Sequence, residues 1–233
     1  MTDNAIVELK NIHFRWPNDK HDTLAIEEFQ IRENEHIFIK GDSGTGKTTL
    51  LNLLCGIHIA NSGSITILDT QIEKLSIQAR DRFRGKNLGV IFQQFNLLPF
   101  LSVKENIVLA SGFSDSRASK VDNIVDETKR LVDALDLPSN IINKKVSELS
   151  VGQQQRVAAC RALFGAPPII IADEPTSALD RKNSDLFLKL LFKEANTNKS
   201  TIIFVSHDEY TSTHFPRIEE LSAHNKPQPL QGD

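Results

Sequence analysis

Residues 41–48 read Gly-Asp-Ser-Gly-Thr-Gly-Lys-Thr, a turn that joins the apolar run Ile37-Phe38-Ile39 to Leu50, Leu51, Leu54 and Ile57 at helical spacing. Few folds accept that arrangement. The run before the turn lacks polar alternation, so it predicts a strand buried on both faces, which belongs in a parallel sheet covered by helices. Glycines let the backbone turn tightly enough for successive N–H groups to converge on one point. The helix that starts there adds the partial positive charge of its N-terminus, and Lys47 adds a full charge. Gly41, Gly46, Lys47 and Thr48 fill every fixed position of G-x-x-x-x-G-K-[ST]. The pattern predicts a cradle for the phosphates of a nucleoside triphosphate. Asp42, Ser43, Gly44 and Thr45 form its loop, and the Thr48 hydroxyl is available to Mg²⁺.

The rest of the chain suits that reading. Val7 and Leu9, then Ile12, Phe14 and Trp16, alternate with polar residues; a Pro17-Asn18-Asp19 turn leads to Leu24, Ile26, Phe29 and Ile31. Period two with one wet face predicts an antiparallel sheet. Three further continuous apolar runs follow, Val90-Ile91-Phe92, Ile169-Ile170-Ile171-Ala172 and Ile202-Ile203-Phe204-Val205, separated by helical patterns such as Phe187, Leu190 and Leu191. Buried strands alternating with helices predict an α/β fold with a mostly parallel core sheet. Between about residues 95 and 160 the buried runs stop and helical periodicity takes over, clearest from Val121 to Leu135. That stretch is expected to be a helical subdomain inserted into a single domain spanning residues 1–221. Residues 222–233, polar and carrying Pro227 and Pro229, are expected to be a flexible tail.

Composition excludes several classes. The 233 residues are 39% hydrophobic, and 27 Lys and Arg against 30 Asp and Glu give a formal charge of −3. Nothing there attracts nucleic acid globally, and no nucleic-acid partner is expected. Two cysteines, Cys55 and Cys160, make no disulfide framework and suit a reducing cytoplasm. No run approaches the roughly 18 apolar residues of a membrane helix, and the opening Met1-Thr2-Asp3-Asn4 does not look like a signal peptide.

A phosphate cradle needs a carboxylate to hold the metal and a group to manage the attacking water. Asp173 and Glu174 end the run Ile169-Ile170-Ile171-Ala172, at the strand edge where open parallel sheets bind ligands. Gln93 and His207 follow two of the other buried runs at the same expected edge. Leu149-Ser150-Val151-Gly152-Gln153 is a second landmark: Ser150 and Gln153 form a capping box at a helix start, which is itself an anion site.

In this order the motifs resemble those of the nucleotide-binding subunit of ABC transporters, over nearly the whole chain. Gly41 to Thr48, with Thr49 after it, resembles Walker A, and Gln93 the Q-loop glutamine. Leu149-Ser150-Val151-Gly152-Gln153 resembles the LSGGQ signature, and Ile169 to Asp173 with Glu174 resembles Walker B and its catalytic glutamate. Ser177-Ala178-Leu179-Asp180 resembles the D-loop, and His207 the switch histidine. Phe14-Arg15-Trp16-Pro17 resembles the A-loop, which places Trp16 where the family stacks an aromatic on adenine. The resemblance implies a P-loop NTPase fold of ABC type, with an N-terminal antiparallel β subdomain and the inserted helical subdomain. It implies two copies closed head to tail around two ATP molecules, each between Walker A of one copy and Ser150, Gly152 and Gln153 of the other. Glu174 would be general base with His207 at the γ-phosphate; Thr48 and Gln93 would ligate Mg²⁺, and Asp173 would hold it through water. Val151 departs from the family glycine, and is expected to be tolerated because the kept Ser150 and Gly152 make the contacts.

Phe83-Arg84-Gly85-Lys86, Leu88-Gly89-Val90-Ile91-Phe92-Gln93-Gln94-Phe95-Asn96-Leu97-Leu98-Pro99 and Leu101-Ser102-Val103-Lys104-Glu105-Asn106 resemble the lipoprotein-releasing, macrolide-exporting and FtsE-like group. That implies an ATPase powering an export or mechanotransmission system from the inner face of the cell membrane. Residues 95–101 would receive a helix of an integral membrane permease. The alternative is an FtsE-like switch or scaffold on a membrane partner without transport. A chromosome-maintenance ATPase would separate the cradle and signature by long coiled coils, whereas Lys47 and Ser150 lie 103 positions apart here without sustained heptads. A translation-type ABC protein would carry two cassettes.

Overall fold

The computed structural model of the protein describes residues 5–42, 44–112 and 114–226. Along the chain run β1 (Ala5–Phe14), β2 (Leu24–Arg32), β3 (Ile37–Lys40), α1 (Lys47–Leu54), β4 (Ser62–Ile67), β5 (Thr70–Gln71), α2 (Ile77–Asn87) and β6 (Leu88–Ile91). There follow α3 (Val103–Gly112), α4 (Asp115–Ala118), α5 (Ile124–Ala134), α6 (Val151–Leu163), β7 (Ile169–Asp173) and α7 (Arg181–Thr197). The chain then passes through β8 (Thr201–Ser206), α8 (Glu209–Ser212), β9 (Arg217–Glu220) and α9 (Leu221–His224). It forms two compact units, Met1–Asp81 with Phe204–Asp233, and Arg82–Ile203.

In the first unit the period-two pattern becomes an antiparallel sheet of order β2-β1-β4-β5. Leu9 faces Phe29, Ile12 faces Ile26 and Phe14 faces Leu24 across β1 and β2. Both strands place two exposed residues in a row, Lys10-Asn11 and Glu27-Glu28, so the parity of their inward residues switches in step. Asn11 adopts φ 50° at that bend, and the register with β4 slips between Lys10 and His13. Opposite it stands Gly63, where a Cβ would lie 2.3 Å from the Asn11 oxygen. β3 is buried at Ile37, Phe38 and Ile39, as its unbroken apolar run predicts, and pairs in parallel with β9. Phe38 stacks on Phe204 at 5.6 Å, and Phe215 tilts against both at 5.4 and 5.0 Å.

α1 ends earlier than its apolar spacing suggests. Gly56 takes φ 63°, the left-handed residue that stops a helix, so Ile57 lies outside α1 and is 44% exposed. The expected loose tail is also partly ordered. Residues 222–226 include the end of α9, and Asn225 makes an antiparallel bridge to Ile26. Their polar composition disguises this, because their partners are main-chain groups. Residues 227–233 lie outside the described residues.

The second unit joins the parallel pair β6–β7, with Leu88 opposite Ile169 and Val90 opposite Ile171, to the helices α3 to α7. α5 begins at Ile124 rather than Val121 because Asn123 accepts hydrogen bonds from the Val125 and Asp126 N–H groups and caps it. Arg130 of α5 reaches the buried Glu194 of α7 at 2.8 Å. α6 turns Val157, Ala158, Ala159, Cys160, Ala162 and Leu163 inward. Its C-terminal turn presses on β6, where a Cβ on Gly89 would lie 2.2 Å from the Ala162 oxygen. That contact is one of those that join the helical segment to strands β6 and β7 in one compact unit. Gly89→Ala is therefore expected to destabilise the protein by about 1–3 kcal/mol through overpacking against main chain, measured by denaturant unfolding; unchanged stability would contradict the contact.

Candidate functional site

In the first unit the cradle is built from left-handed glycines. Gly44 has φ 86° with nothing within 4 Å of its would-be Cβ, and Gly46 has φ 95°. A side chain at Gly46 would strike Leu24 Cδ2 at 2.8 Å and the Thr23 oxygen at 3.2 Å, so the loop lies directly on the start of β2. At Gly41 a Cβ would meet Thr45 Oγ1 at 2.6 Å. Thr45 Oγ1 donates to the Asp42 carbonyl at 2.9 Å. Gly46 stands at the N-cap of α1 and offers no side-chain cap, so the first-turn N–H groups are not spent on a capping side chain. Lys47 is buried, and its Nζ donates to the carbonyls of Gly41 at 2.6 Å and Asp42 at 2.8 Å. Thr48 and Asp42 are exposed, whereas Thr49 is buried. Ser43, expected to belong to the loop, lies outside the described residues.

Trp16 is half-buried. Its ring meets Phe14 edge-on at 5.1 Å and His58 edge-on at 4.9 Å, and the neighbouring Arg15 N–H donates to Asn61 Oδ1 at 2.7 Å. His207 is exposed just beyond β8. Asp208 beside it caps α8, accepting from the Tyr210 and Thr211 N–H groups and from the Thr211 hydroxyl at 2.5 Å. Desolvation raises the Asp208 carboxyl, but the Thr211 and Tyr210 hydrogen bonds and the nearby His207 outweigh it and hold it below the usual range.

The second unit carries the other predicted residues. Gln93 is exposed beyond β6. Two residues later Phe95 and Asn96 adopt φ 58° and 48°, and Arg161 of α6 donates to their carbonyls at 2.6 and 2.7 Å. Asp173 ends β7, and Glu174 follows at φ 42°, a conformation that costs a non-glycine residue on the order of 1–2 kcal/mol. The capping box forms as expected: Ser150 Oγ accepts from the Gln153 N–H at 3.3 Å, and Gln153 Oε1 accepts from the Ser150 N–H at 3.1 Å.

Val151 is the first helical residue of α6 and 51% exposed. It is absent from the left-handed residues, so a β-branched side chain costs no strain there. Gly152 is more telling. A Cβ on it would touch only Leu179 Cδ2, at an ordinary 3.7 Å. The described residues give no packing reason for glycine inside a helix.

Sequence reasoning missed three supports. Arg117 of α4 is buried, and its guanidinium donates to the carbonyls of Phe164 and Ala162 at 2.7 Å and Leu88 at 3.2 Å. It thereby closes the C-terminal turn of α6, and burial pushes its pKa down to about 10. Asn106 of α3, fully buried, accepts from the Leu98 N–H at 2.8 Å and donates to the Leu98 and Ser102 carbonyls at 3.0 Å. It holds an otherwise exposed loop in which Phe100 is 67% and Leu98 37% accessible. His58 is the third. Arg, Asn and His at these places carry no motif; only the fold brings them to their partners. Among the described residues no cluster of three His, Cys, Asp or Glu side chains could hold a metal, and no helix is long and apolar enough to cross a membrane.

Comparison with known proteins gives these halves a common context. The ABC transporter family matches residues 25–177. The chain is 37% identical over 216 residues to the bacitracin export ATP-binding protein BceA of Halalkalibacterium halodurans, covering 92% of this chain and 84% of that protein. It is 37% identical over 191 residues to the macrolide export ATP-binding/permease protein MacB of Campylobacter jejuni, of which it spans 29%. The dimeric post-hydrolysis structure of the ATP-binding cassette MJ0796 of Methanocaldococcus jannaschii, bound to ADP and Pi, matches with TM-score 0.82 at 30% identity, covering 97% of this chain and 100% of that one. With its glycine cradle, its capped α6 and a family match across residues 25–177, the chain belongs to the ABC transporter family as an ATP-binding cassette.

Proposed function

We propose that the protein hydrolyses ATP as the motor subunit of a membrane export or mechanotransmission system, working as two copies closed head to tail. The observation that carries this reading is the open cradle. Left-handed Gly44 and Gly46 precede a helix with no side-chain cap, a backbone arranged to bind an anion through N–H groups. Lys47 would leave its loop carbonyls for the phosphates, and Trp16 would stack on adenine. MJ0796, captured as a dimer with ADP and Pi, supports both the nucleotide and the paired state.

In the proposed reaction Glu174, held at φ 42° beyond β7, accepts a proton from the attacking water, and His207 steadies the γ-phosphate. Thr48 and Gln93 would hold Mg²⁺, with Asp173 through water; the ion would supply positive charge to the phosphates. The exposed hydroxyl of Thr48 and the exposed amide of Gln93 fit such a hard cation. Gly152 supports the paired state: with room for a Cβ inside its own unit, its glycine makes sense where the nucleotide of the second copy approaches the α6 N-terminus. The docking loop, pinned by Asn106 with Leu98 and Phe100 outward, would seat a permease helix at the membrane's inner face.

Glu174→Gln should bind ATP, stop hydrolysis and elute as a stable dimer with ATP; wild-type turnover in this variant would remove Glu174 from its role. Gly152→Ala should leave thermal stability unchanged, or raised by up to about 1 kcal/mol, while ATP turnover at saturating ATP falls at least tenfold. Retained turnover would count against an approaching nucleotide. Leu98→Asp should keep soluble ATPase activity and lose co-purification with the permease from membranes; continued capture would show that docking lies elsewhere.

A further inference from the structure

Residues 222–226 reach the phosphate loop itself. Asn225 uses both ends of its amide on main chain distant in sequence. Its Nδ2 donates to the carbonyls of Thr23 at 2.9 Å and Thr45 at 3.2 Å, and its Oδ1 accepts from the Ala25 N–H at 2.7 Å. The Lys226 N–H adds a bond to the Ala25 carbonyl at 2.9 Å. Thr23 and Leu24 are also the residues on which Gly46 rests. The start of β2, the loop residues Thr45 and Gly46, and Asn225 therefore form one block.

Asn225 is held from behind. It closes α9 through its own N–H to the Leu221 carbonyl at 2.7 Å. His224 before it bonds Glu219 at 2.9 Å and packs edge-on against Phe29 at 5.0 Å. Arg217 joins Glu219 at 2.8 Å to Glu35 at 2.9 Å. The main chain that carries Asn225 is thus fixed from behind rather than by the loop its amide touches.

The consequence lies in the geometry of one peptide. In a trans peptide the carbonyl and the following N–H point in opposite directions. A carbonyl of Thr45 drawn toward Asn225 aims the Gly46 N–H the other way, on the side of the loop away from Asn225. We propose that Asn225 is a positioning residue for nucleotide binding: it fixes the Thr45 carbonyl so that the Gly46 N–H is presented to a phosphate. The proposal rests on the reading of residues 41–48 as the ATP cradle. The Gly46 N–H would hold a non-bridging phosphate oxygen before and during the reaction, so the contribution falls on nucleotide binding in ground and transition state alike.

The test compares Asn225→Asp and Asn225→Gln with wild type in the full-length protein, using MgATP hydrolysis and a fluorescent ATP analogue. Aspartate keeps the shape and the acceptor but removes the donor to Thr23 and Thr45. It should raise KM and the analogue's Kd about tenfold or more, the scale of the lost hydrogen bonds with carbonyls left against a carboxylate, with kcat within about twofold. Glutamine, which keeps the donor on a longer arm, should recover part of that loss. ADP should shift the Gly46 amide resonance in wild type and shift it less in the aspartate variant. A merely structural role predicts the reverse, lower Tm and lower kcat from a smaller folded fraction at unchanged KM, and that result overturns the proposal. Lys47→Ala run in parallel separates the two readings. If it abolishes binding while Asn225→Asp does not weaken it, only the role of Asn225 falls. If ATP binds Lys47→Ala normally, the cradle reading falls and this proposal with it.

Discussion

A loop that binds phosphate through its N–H groups has to be held in shape by everything else it owns. Three carbonyls of this loop are occupied in that way: Gly41 accepts from Lys47, Asp42 from Thr45 and Lys47, and Thr45 from Asn225. Left-handed glycines make the backbone path accessible, and the contact of Gly46 with Leu24 sets how close the loop sits to the antiparallel sheet. Charge then follows from direction, because aligned N–H groups at the uncapped start of α1 are a positive site in their own right. Behind the loop, the first three residues of β3 are buried, which is why Ile37, Phe38 and Ile39 are all apolar.

How much of this could be read before any coordinates depended on whether the signal was periodic, local or long-range. The apolar runs announced β3, β6, β7 and β8, since burial on both faces leaves no other composition available. Local chemistry was equally legible: the Ser150–Gln153 capping box appears with both of its hydrogen bonds. Where a turn is decided by one residue in left-handed conformation, spacing alone misled. Gly56 ends α1 and takes Ile57 out of it, although the apolar pattern continues through that position.

Long-range polar contacts were not legible. Asn225, Asn106, Arg117 and Arg161 each bond to carbonyls, and any residue supplies a carbonyl, so no partner residue type betrays the pairing. The tail illustrates the point: a polar, proline-containing segment reads as loose because nothing apolar asks to be buried. Yet Asn225 and Lys226 are positioned by main chain from Thr23, Ala25 and Thr45. The candidate residues for metal and water, Asp173, Glu174 and Gln93, fell at strand ends as their place after apolar runs implied. The strain at Glu174 had no sequence signature.

The two ends of α6 are secured very differently. At the C-terminal end the Arg117 guanidinium and the tight approach of Gly89 leave the last turn no room to shift. At the other end the capping box is joined by Gln154 on the Leu149 carbonyl and Arg156 on the Asp136 carbonyl, while Val151 in the first turn stays exposed. A helix held most tightly at one end acts as a lever about that end. Thirteen residues of helix give an arm of about 20 Å at 1.5 Å per residue. A tilt of about ten degrees about the Arg117 end would carry Ser150 through roughly 3 Å, the length of a hydrogen bond. In the proposed dimer, small rotations near Arg117 would thus decide whether the far end of α6 meets a phosphate of the other copy or misses it.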